Sequence, residues 1–270
     1  MSNWLLLGIL AILQGVTEFL PVSSSGHLAL MGTICGLPQE EGAAFSIVLH
    51  AGSLLAIITF YFRVLLGFFK KDQFHLLLMV VAGSIPAGII GLWLKKSGLL
   101  EMLFGDMLSV AMGLLITASL LRLTGKEKLR AKTETDLKDI TLKQALTVGF
   151  SQAFAIIPGI SRSGSTIASG ILTGIKFEAA ATFSFLLALP AIAGATLLEV
   201  IDLCKNGFQL GRFSALQLSA AFLISALASF ASLWLLVKLI RKRKLAYFSW
   251  YLFIVGASVM IWQIIALSKG

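Results

Sequence analysis

The chain has 270 residues, 57% of them hydrophobic and only 13% charged. That is about half the ~25% charged share of a soluble domain, and a soluble fold could not hide so much apolar surface. A net charge of +9 could signal nucleic acid, but the 22 Lys and Arg fall almost entirely between apolar runs, which argues against a nucleic-acid face and fits the positive-inside pattern of a membrane protein.

The first apolar run, 4–20, has no positive n-region, since the first Lys or Arg is Arg63, and it carries Gln14 and Glu18. It is therefore expected to stay on the chain rather than be cleaved as a signal peptide. The stretch 4–35 is interrupted by LPVSSSGH at 20–27, leaving two halves too short to cross comfortably, and reads as a re-entrant helix-loop-helix. Three apolar segments follow, 43–62, 76–94 and 105–121, each near the roughly 20 residues a span needs. After a basic connection, 144–174 is a second broken stretch, interrupted by PGISRSGST at 158–166, and three more spans follow at 178–204, 214–237 and 247–267. The expected fold class is an all-α integral membrane protein with six transmembrane helices and two re-entrant hairpins.

Laid on itself with an offset of 138, the sequence repeats without a gap: 11 of the 36 positions from Gln14 to Leu49 match, among them Gln14 with Gln152, Ser23 with Ser161, Ser25 with Ser163, Gly26 with Gly164 and Glu40 with Glu178. One membrane domain is expected, with repeat one at 1–121, a cytoplasmic loop at 122–143 and repeat two at 144–270. Three crossings per repeat is an odd number, so the second repeat must lie inverted relative to the first. The connections 63–75, 122–143, 175–177 and 238–246 hold 3, 7, 1 and 5 Lys or Arg, whereas 36–42, 95–104 and 205–213 hold 0, 2 and 2, with Lys269 in the tail. The richer side is cytoplasmic by the positive-inside rule, which puts both termini outside and lets the two broken tips meet near the midplane from opposite faces.

Arg162 is the one Lys or Arg placed mid-segment. Inside a bilayer an arginine costs about 2.5–3.5 kcal/mol even on lenient scales, so it needs an anionic partner. Around it, Ser161, Ser163, Ser165, Thr166 and two glycines supply hydroxyls, free amides and the start of a half-helix, the parts of a phosphate cradle. On the first hairpin Gln14 and Glu18 share a helical face at a spacing of four; Ser23, Ser24 and Ser25 lie in the break, and His27 follows it. A carboxylate, a hydroxyl and an imidazole beside a phosphate site suit hydrolysis: His can move a proton, Glu can hold a divalent ion or orient water, and Ser can attack phosphorus. Plainer roles stand beside these. Arg162 and an acid could be a structural ion pair, Gln14 a packing amide, Ser23 and Ser25 helix caps, and His27 an interfacial histidine. His50 and His75 read as a packed and an interfacial histidine, Glu199 and Asp202 as residues near the outer end of a span, and Asp106 as a helix-start carboxylate. The run Arg241 to Lys244 reads as a basic collar for anionic lipid heads, and Cys35 and Cys204, which lack metal-ligand or redox spacing, read as small apolar residues.

The segments GVTEFLPVSSSGH at 15–27 and PGISRSGST at 158–166 resemble the two signature segments of the undecaprenyl-diphosphate phosphatase family, also called bacitracin resistance proteins, and the similarity in length, hydropathy and segment order covers essentially the whole chain. The resemblance implies hydrolysis of undecaprenyl diphosphate to the monophosphate carrier of peptidoglycan synthesis, bacitracin resistance, a place in the bacterial inner membrane, and an active site near the midplane open to the outer side. By motif matching, Glu18, Ser24, His27, Ser161, Arg162 and Thr166 fall on the family's functional positions, and a divalent cation, Mg²⁺ or Ca²⁺, is implied, with Glu18 as a metal ligand. Gln14 stands where the family has Glu or Gln, which removes one possible carboxylate ligand and counts against a two-carboxylate metal mechanism; Ser24 is the leading nucleophile, with water or His27 as the alternatives. The partners expected are the lipid substrate and the membrane, with a homo-oligomer compatible. The alternative from a different class is a transporter or flippase of lipid phosphates on the same inverted scaffold.

Overall fold

The computed structural model describes residues 2–36, 42–68, 70, 73–104, 106–126, 133–206 and 213–268. The central parts of three expected connections, 37–41, 127–132 and 207–212, with Glu40 of the repeat match and Lys269 of the tail, lie outside the described residues. Among the described residues the chain forms helices and no strand, apart from an isolated bridge between Thr135 and Ile175.

Both expected breaks are present. α1 (Asn3–Phe19) stops before Leu20-Pro21, because a residue preceding proline is driven out of the helical region, and α2 (Ser24–Cys35) restarts behind the cap Ser23. α8 (Leu142–Phe154) and α9 (Arg162–Leu172) are separated by a segment containing Pro158 and Gly159. To keep the labels in chain order, α3 is Gly42–Phe60, α4 Phe62–Gly67, α5 Phe74–Lys96, α6 Leu99–Phe104, α7 Met107–Leu123, α10 Phe177–Asn206, α11 Ala215–Arg241 and α12 Phe248–Leu267. Each expected span is a helix, but the short α4 and α6 appear in what had been read as connections. Among the described residues four helices, α5, α10, α11 and α12, are long and apolar enough to cross a membrane, whereas α7 and the apolar part of α3, Phe45–Phe60, are shorter. The 17 residues of α7 span about 25 Å, a little under the roughly 30 Å of a hydrocarbon core.

The first arm of each hairpin packs on the opposite half of the chain: α1 lies against α11, and α8 lies against α5. Under the offset of 138 these are equivalent pairs. Small residues make the approaches close, as membrane helices need in the absence of a hydrophobic drive between them. A Cβ on Gly15 would lie 2.7 Å from the Ser225 carbonyl oxygen, and one on Gly149 2.1 Å from that of Gly83. Buried hydroxyls on α11 add to the packing, Ser232 donating to the Gly15 carbonyl of α1 at 3.0 Å and Ser225 to the Leu49 carbonyl of α3 at 2.8 Å. The outer surface is apolar. Only 17% of the apolar window of the last long helix is buried inside the protein, so the rest needs lipid to cover it.

Asp106 caps α7, accepting from the Leu108 and Ser109 amides at 3.0 Å and from the Ser109 hydroxyl at 2.6 Å. The Ser109 hydroxyl, with those amides, holds its carboxyl below the usual carboxylate range. Because the folded value is depressed, the cap contributes above the unfolded value and its contribution is lost as pH falls through the folded one. Asp106→Ala should therefore cost about 0.5–2 kcal/mol at neutral pH, at the low end because the site is exposed, and less in acid; thermal unfolding in detergent at two pH values checks this.

Candidate active site

The two breaks are built alike. Ser23 accepts the Gly26 amide at 3.2 Å and Ser161 accepts the Gly164 amide at 3.1 Å, and each cap hydroxyl lies beside a serine two residues on, Ser25 at 3.3 Å and Ser163 at 3.2 Å. Ser23 and Ser161 are thus helix caps as well as members of the site. Ser24 and Ser25 do not lie in the break, as read from sequence; they occupy the first turn of α2, where their amides have no intrahelical partner. Ser23 itself sits at φ 70°, a strained backbone for a residue with a side chain.

The tips touch. Ser163 donates to the Leu20 carbonyl at 3.2 Å, and a Cβ on Gly26 would lie 3.2 Å from Gly159 Cα. Across this meeting point Arg162 Nη2 donates to Glu18 Oε1 at 3.0 Å, while Glu18 Oε2 accepts Gln14 Nε2 at 3.0 Å and the Ser24 hydroxyl at 2.7 Å. Arg162 Nη1 is buried without a protein partner. Half of the guanidinium fork is held by the carboxylate and half is left for something else; an unmet buried donor of this kind is costly unless a ligand takes it.

A cavity of about 240 Å³ opens between the tips, lined by Glu18, Ser24, Arg162 and His50 together with Ser23, Ser25 and Ser161; its other wall is apolar, formed chiefly by Ile156, Ile160, Ala191 and Ile192. Pockets for drug-sized ligands run about 300–1,000 Å³, so this one has room for a headgroup and not for a long tail. The N-termini of α2 and α9 both end at its wall, adding two positive dipole ends to the guanidinium. The arrangement can hold a multiply charged oxyanion against a hydroxyl that is itself hydrogen-bonded to a carboxylate.

Several residues singled out in the sequence are placed elsewhere. Thr166 is fully buried behind the wall, its hydroxyl on the Arg162 carbonyl at 2.7 Å and beside the Ser184 hydroxyl at 2.5 Å, so it ties α9 to α10 instead of facing the cavity. Ser163 is spent on the contact between tips. His27 does not line the cavity. Its Nδ1 lies 2.8 Å from the Ser23 carbonyl, its Nε2 lies 2.7 Å from the Tyr251 hydroxyl, and the two rings stack at an interplanar angle of 10°. His27 therefore braces the strained turn against α12. His50, read as a packing residue, does line the cavity; the signal that could have found it was an ionisable side chain in the middle of an apolar span. Tyr251 gave no signal at all.

A divalent ion can be tested against this donor set. Among the described residues no group of three His, Cys, Asp or Glu could hold one by itself. The residues fit a more modest role: Gln14 Oε1 is buried without a partner beside the Glu18 carboxylate, and Mg²⁺ commonly takes one carboxylate with most remaining ligands from phosphate and water.

The family model described as "Bacitracin resistance protein BacA" matches residues 7–258. Among individual proteins, the chain is 37% identical to the undecaprenyl-diphosphatase of Methanosphaera stadtmanae, over 95% of this chain and 97% of that one. It is likewise 37% identical to the undecaprenyl-diphosphatase of Bacteroides thetaiotaomicron, over 97% and 100%, and to that of Alkaliphilus metalliredigens, over 95% and 98%.

Proposed function

Since the chain belongs to the bacitracin resistance protein family BacA, we infer that it is an undecaprenyl-diphosphatase. It hydrolyses undecaprenyl diphosphate to the monophosphate and inorganic phosphate, which renews the lipid carrier for wall synthesis and underlies bacitracin resistance. The observation that carries the reading from the side of the molecule is Arg162, which lines a headgroup-sized cavity beside a hydroxyl bonded to a carboxylate and whose buried Nη1 has no hydrogen-bond partner among the described residues. A pure transporter on this scaffold is not favoured, because the relatives found are named as phosphatases.

The chain is a multi-pass protein of the inner membrane. In finer detail, α3, α5, α7, α10, α11 and α12 cross, while the hairpins α1–α2 and α8–α9 enter from the outer and cytoplasmic faces and do not cross. Two repeats at 1–121 and 144–270 are related by inversion, both termini lie outside, and the cavity opens to the outer side. The reciprocal packing of α1 on α11 and α8 on α5 supports the inversion, and the asymmetry of Lys and Arg supports the orientation.

In the reaction, Arg162 and the first-turn amides of α2 and α9 grip the diphosphate, and Ser24 is the nucleophile. Its Oγ forms the bond to the terminal phosphorus, its proton passes to Glu18 Oε2, and the bond to the bridging oxygen breaks with the electron pair left on the lipid monophosphate. Water then cleaves the phosphoserine. Glu18 and Gln14 Oε1 are the protein ligands for a Mg²⁺ or Ca²⁺ ion, which when bound supplies charge neutralisation on the phosphate oxygens. Ser24→Ala should lower phosphate release from undecaprenyl diphosphate in detergent by about 10³-fold or more. A variant with near-normal turnover would remove serine attack in favour of direct attack by water, and the same assay with and without chelator tests the ion.

A further inference from the structure

Two histidines stand near the reacting groups, and the cavity has access to only one of them. We propose that His50 is the imidazole that takes the proton of the attacking water, and that Ser46 and Glu199 carry that proton on towards the outer surface. The inference rests on the phosphatase reading above.

Position is the first ground. His50, from the middle of α3, lines the cavity with Glu18, Ser24 and Arg162, and His27 does not. The second ground is the tautomer. His50 Nδ1 lies 3.0 Å from the Ser46 carbonyl oxygen, which can only accept, so the neutral ring carries its hydrogen on Nδ1 and a lone pair on Nε2. No protein hydrogen bond engages that Nε2 among the described residues. In His27 the same logic also puts the hydrogen on Nδ1, but there the lone pair of Nε2 is already taken by the Tyr251 hydroxyl. A general base needs a free lone pair within reach of its proton, and His50 has one at the cavity wall.

The third ground is an onward path. The Ser46 hydroxyl lies 3.2 Å from His50 Nδ1, and Glu199 of α10 is a neighbour of both residues. Glu199 Oε2 is buried with no further partner, and beyond it lies the ion pair of Lys95, from α5, with Asp202, whose side chains are 36% and 48% exposed. An intramembrane carboxylate left half-satisfied next to a histidine is expensive to keep as packing alone. The charged groups nearest His50 are Glu18 from α1, Arg162 across the cavity and Glu199 from α10, and Lys95 of α5 and Asp202 of α10 lie next to Glu199.

In the hydrolytic step an O–H bond of water breaks and its oxygen bonds to phosphorus. The bond from phosphorus to the Ser24 oxygen breaks, its electron pair reprotonating from Glu18, and the water proton goes to His50 Nε2. From the imidazolium, Nδ1–H passes a proton through the Ser46 hydroxyl to the Glu199 carboxylate, which releases it to solvent, and exchange with cavity water then moves the remaining ring proton from Nε2 back to Nδ1 before the next turnover. Serine and Glu18 end as they began, and one proton per turnover leaves with the products.

The test uses full-length protein purified in detergent, with phosphate release from undecaprenyl diphosphate as the readout. His50→Gln and His50→Ala should each lower kcat by about 10²–10⁴-fold with little change in KM. Added imidazole should restore part of the lost rate in His50→Ala, an effect a packing role would not produce, and Glu199→Gln should slow turnover by about tenfold without loss of substrate affinity. Where His50→Ala does not survive purification, His50→Gln, close in size and polarity, carries the test. If His50→Gln turns over within threefold of the unmodified protein, His50 is not the base and the phosphatase reading stands. An unmodified chain that releases no phosphate overturns both.

Discussion

Arg162→Ala is expected to reduce phosphate release by about 10³–10⁵-fold, the range found where an arginine stabilises a phosphoryl transition state. Its guanidinium gives one arm to Glu18 Oε1 at 3.0 Å, and the buried Nη1 of the other has no hydrogen-bond partner among the described residues. Arg162→Lys should stay severely impaired, since an ammonium cannot hold a carboxylate and a phosphate along one rigid fork. Loss of activity alone would not separate this role from that of a structural ion pair, because removing the cation strands a buried carboxylate and costs about 3–5 kcal/mol. The double variant Glu18→Gln/Arg162→Gln separates them. Two neutral amides can hydrogen-bond each other, so thermal stability should recover most of what Arg162→Gln loses, while phosphate release should not recover. A double variant regaining both would make the pair a mere fastening between hairpins.

The parts of the molecule that were legible in the sequence are those governed by cost. Breaks at 20–23 and 155–161 follow from proline and glycine chemistry, and the Glu18–Arg162 pairing follows from the expense of a lone cation in lipid. The offset of 138 pairs Ser23 with Ser161, and the structure makes both of them caps with the same hydrogen bond three residues on. Side-chain direction was not legible. Sequence spacing puts His27 one turn beyond Ser23, but it cannot say that the ring turns to Tyr251, 224 residues away, instead of to Glu18. The direction of Thr166 is hidden for the same reason: its partner Ser184 lies on another helix. For His50 the sequence does hold a signal, an ionisable side chain in the middle of an apolar span, and the structure puts that residue at the cavity wall. The short helices α4 and α6 escaped because neither is long enough to show a period.

Gly159→Ala tests whether the second tip is moulded by α7. Gly159 lies at φ 83°, and a Cβ there would sit 2.1 Å from the Val110 carbonyl oxygen. From the other side, a Cβ on Gly113 would sit 2.3 Å from the Pro158 carbonyl oxygen, and Thr117 accepts the Ser161 amide at 2.9 Å. Val110, Gly113 and Thr117 form one stripe of α7, against which the break lies backbone to backbone. A methyl group at 159 adds about 1–2 kcal/mol for the left-handed conformation and about 1–3 for overpacking. Because a backbone carbonyl cannot move aside as a flexible side chain could, the loop must lift, carrying the Ser161 cap and Arg162 with it. A displacement near 1 Å at such a site can cost about 10²-fold in rate, so activity should fall at least that far even in protein that remains folded. Gly98→Ala is the matched comparison: it has φ 69° but open space around the added carbon, so it should lose only the conformational term and keep its turnover. Thermal unfolding and phosphate release on the pair decide the matter. Equal activity in both variants would mean that Arg162 is placed by α9 and Glu18 alone, without the register that α7 imposes.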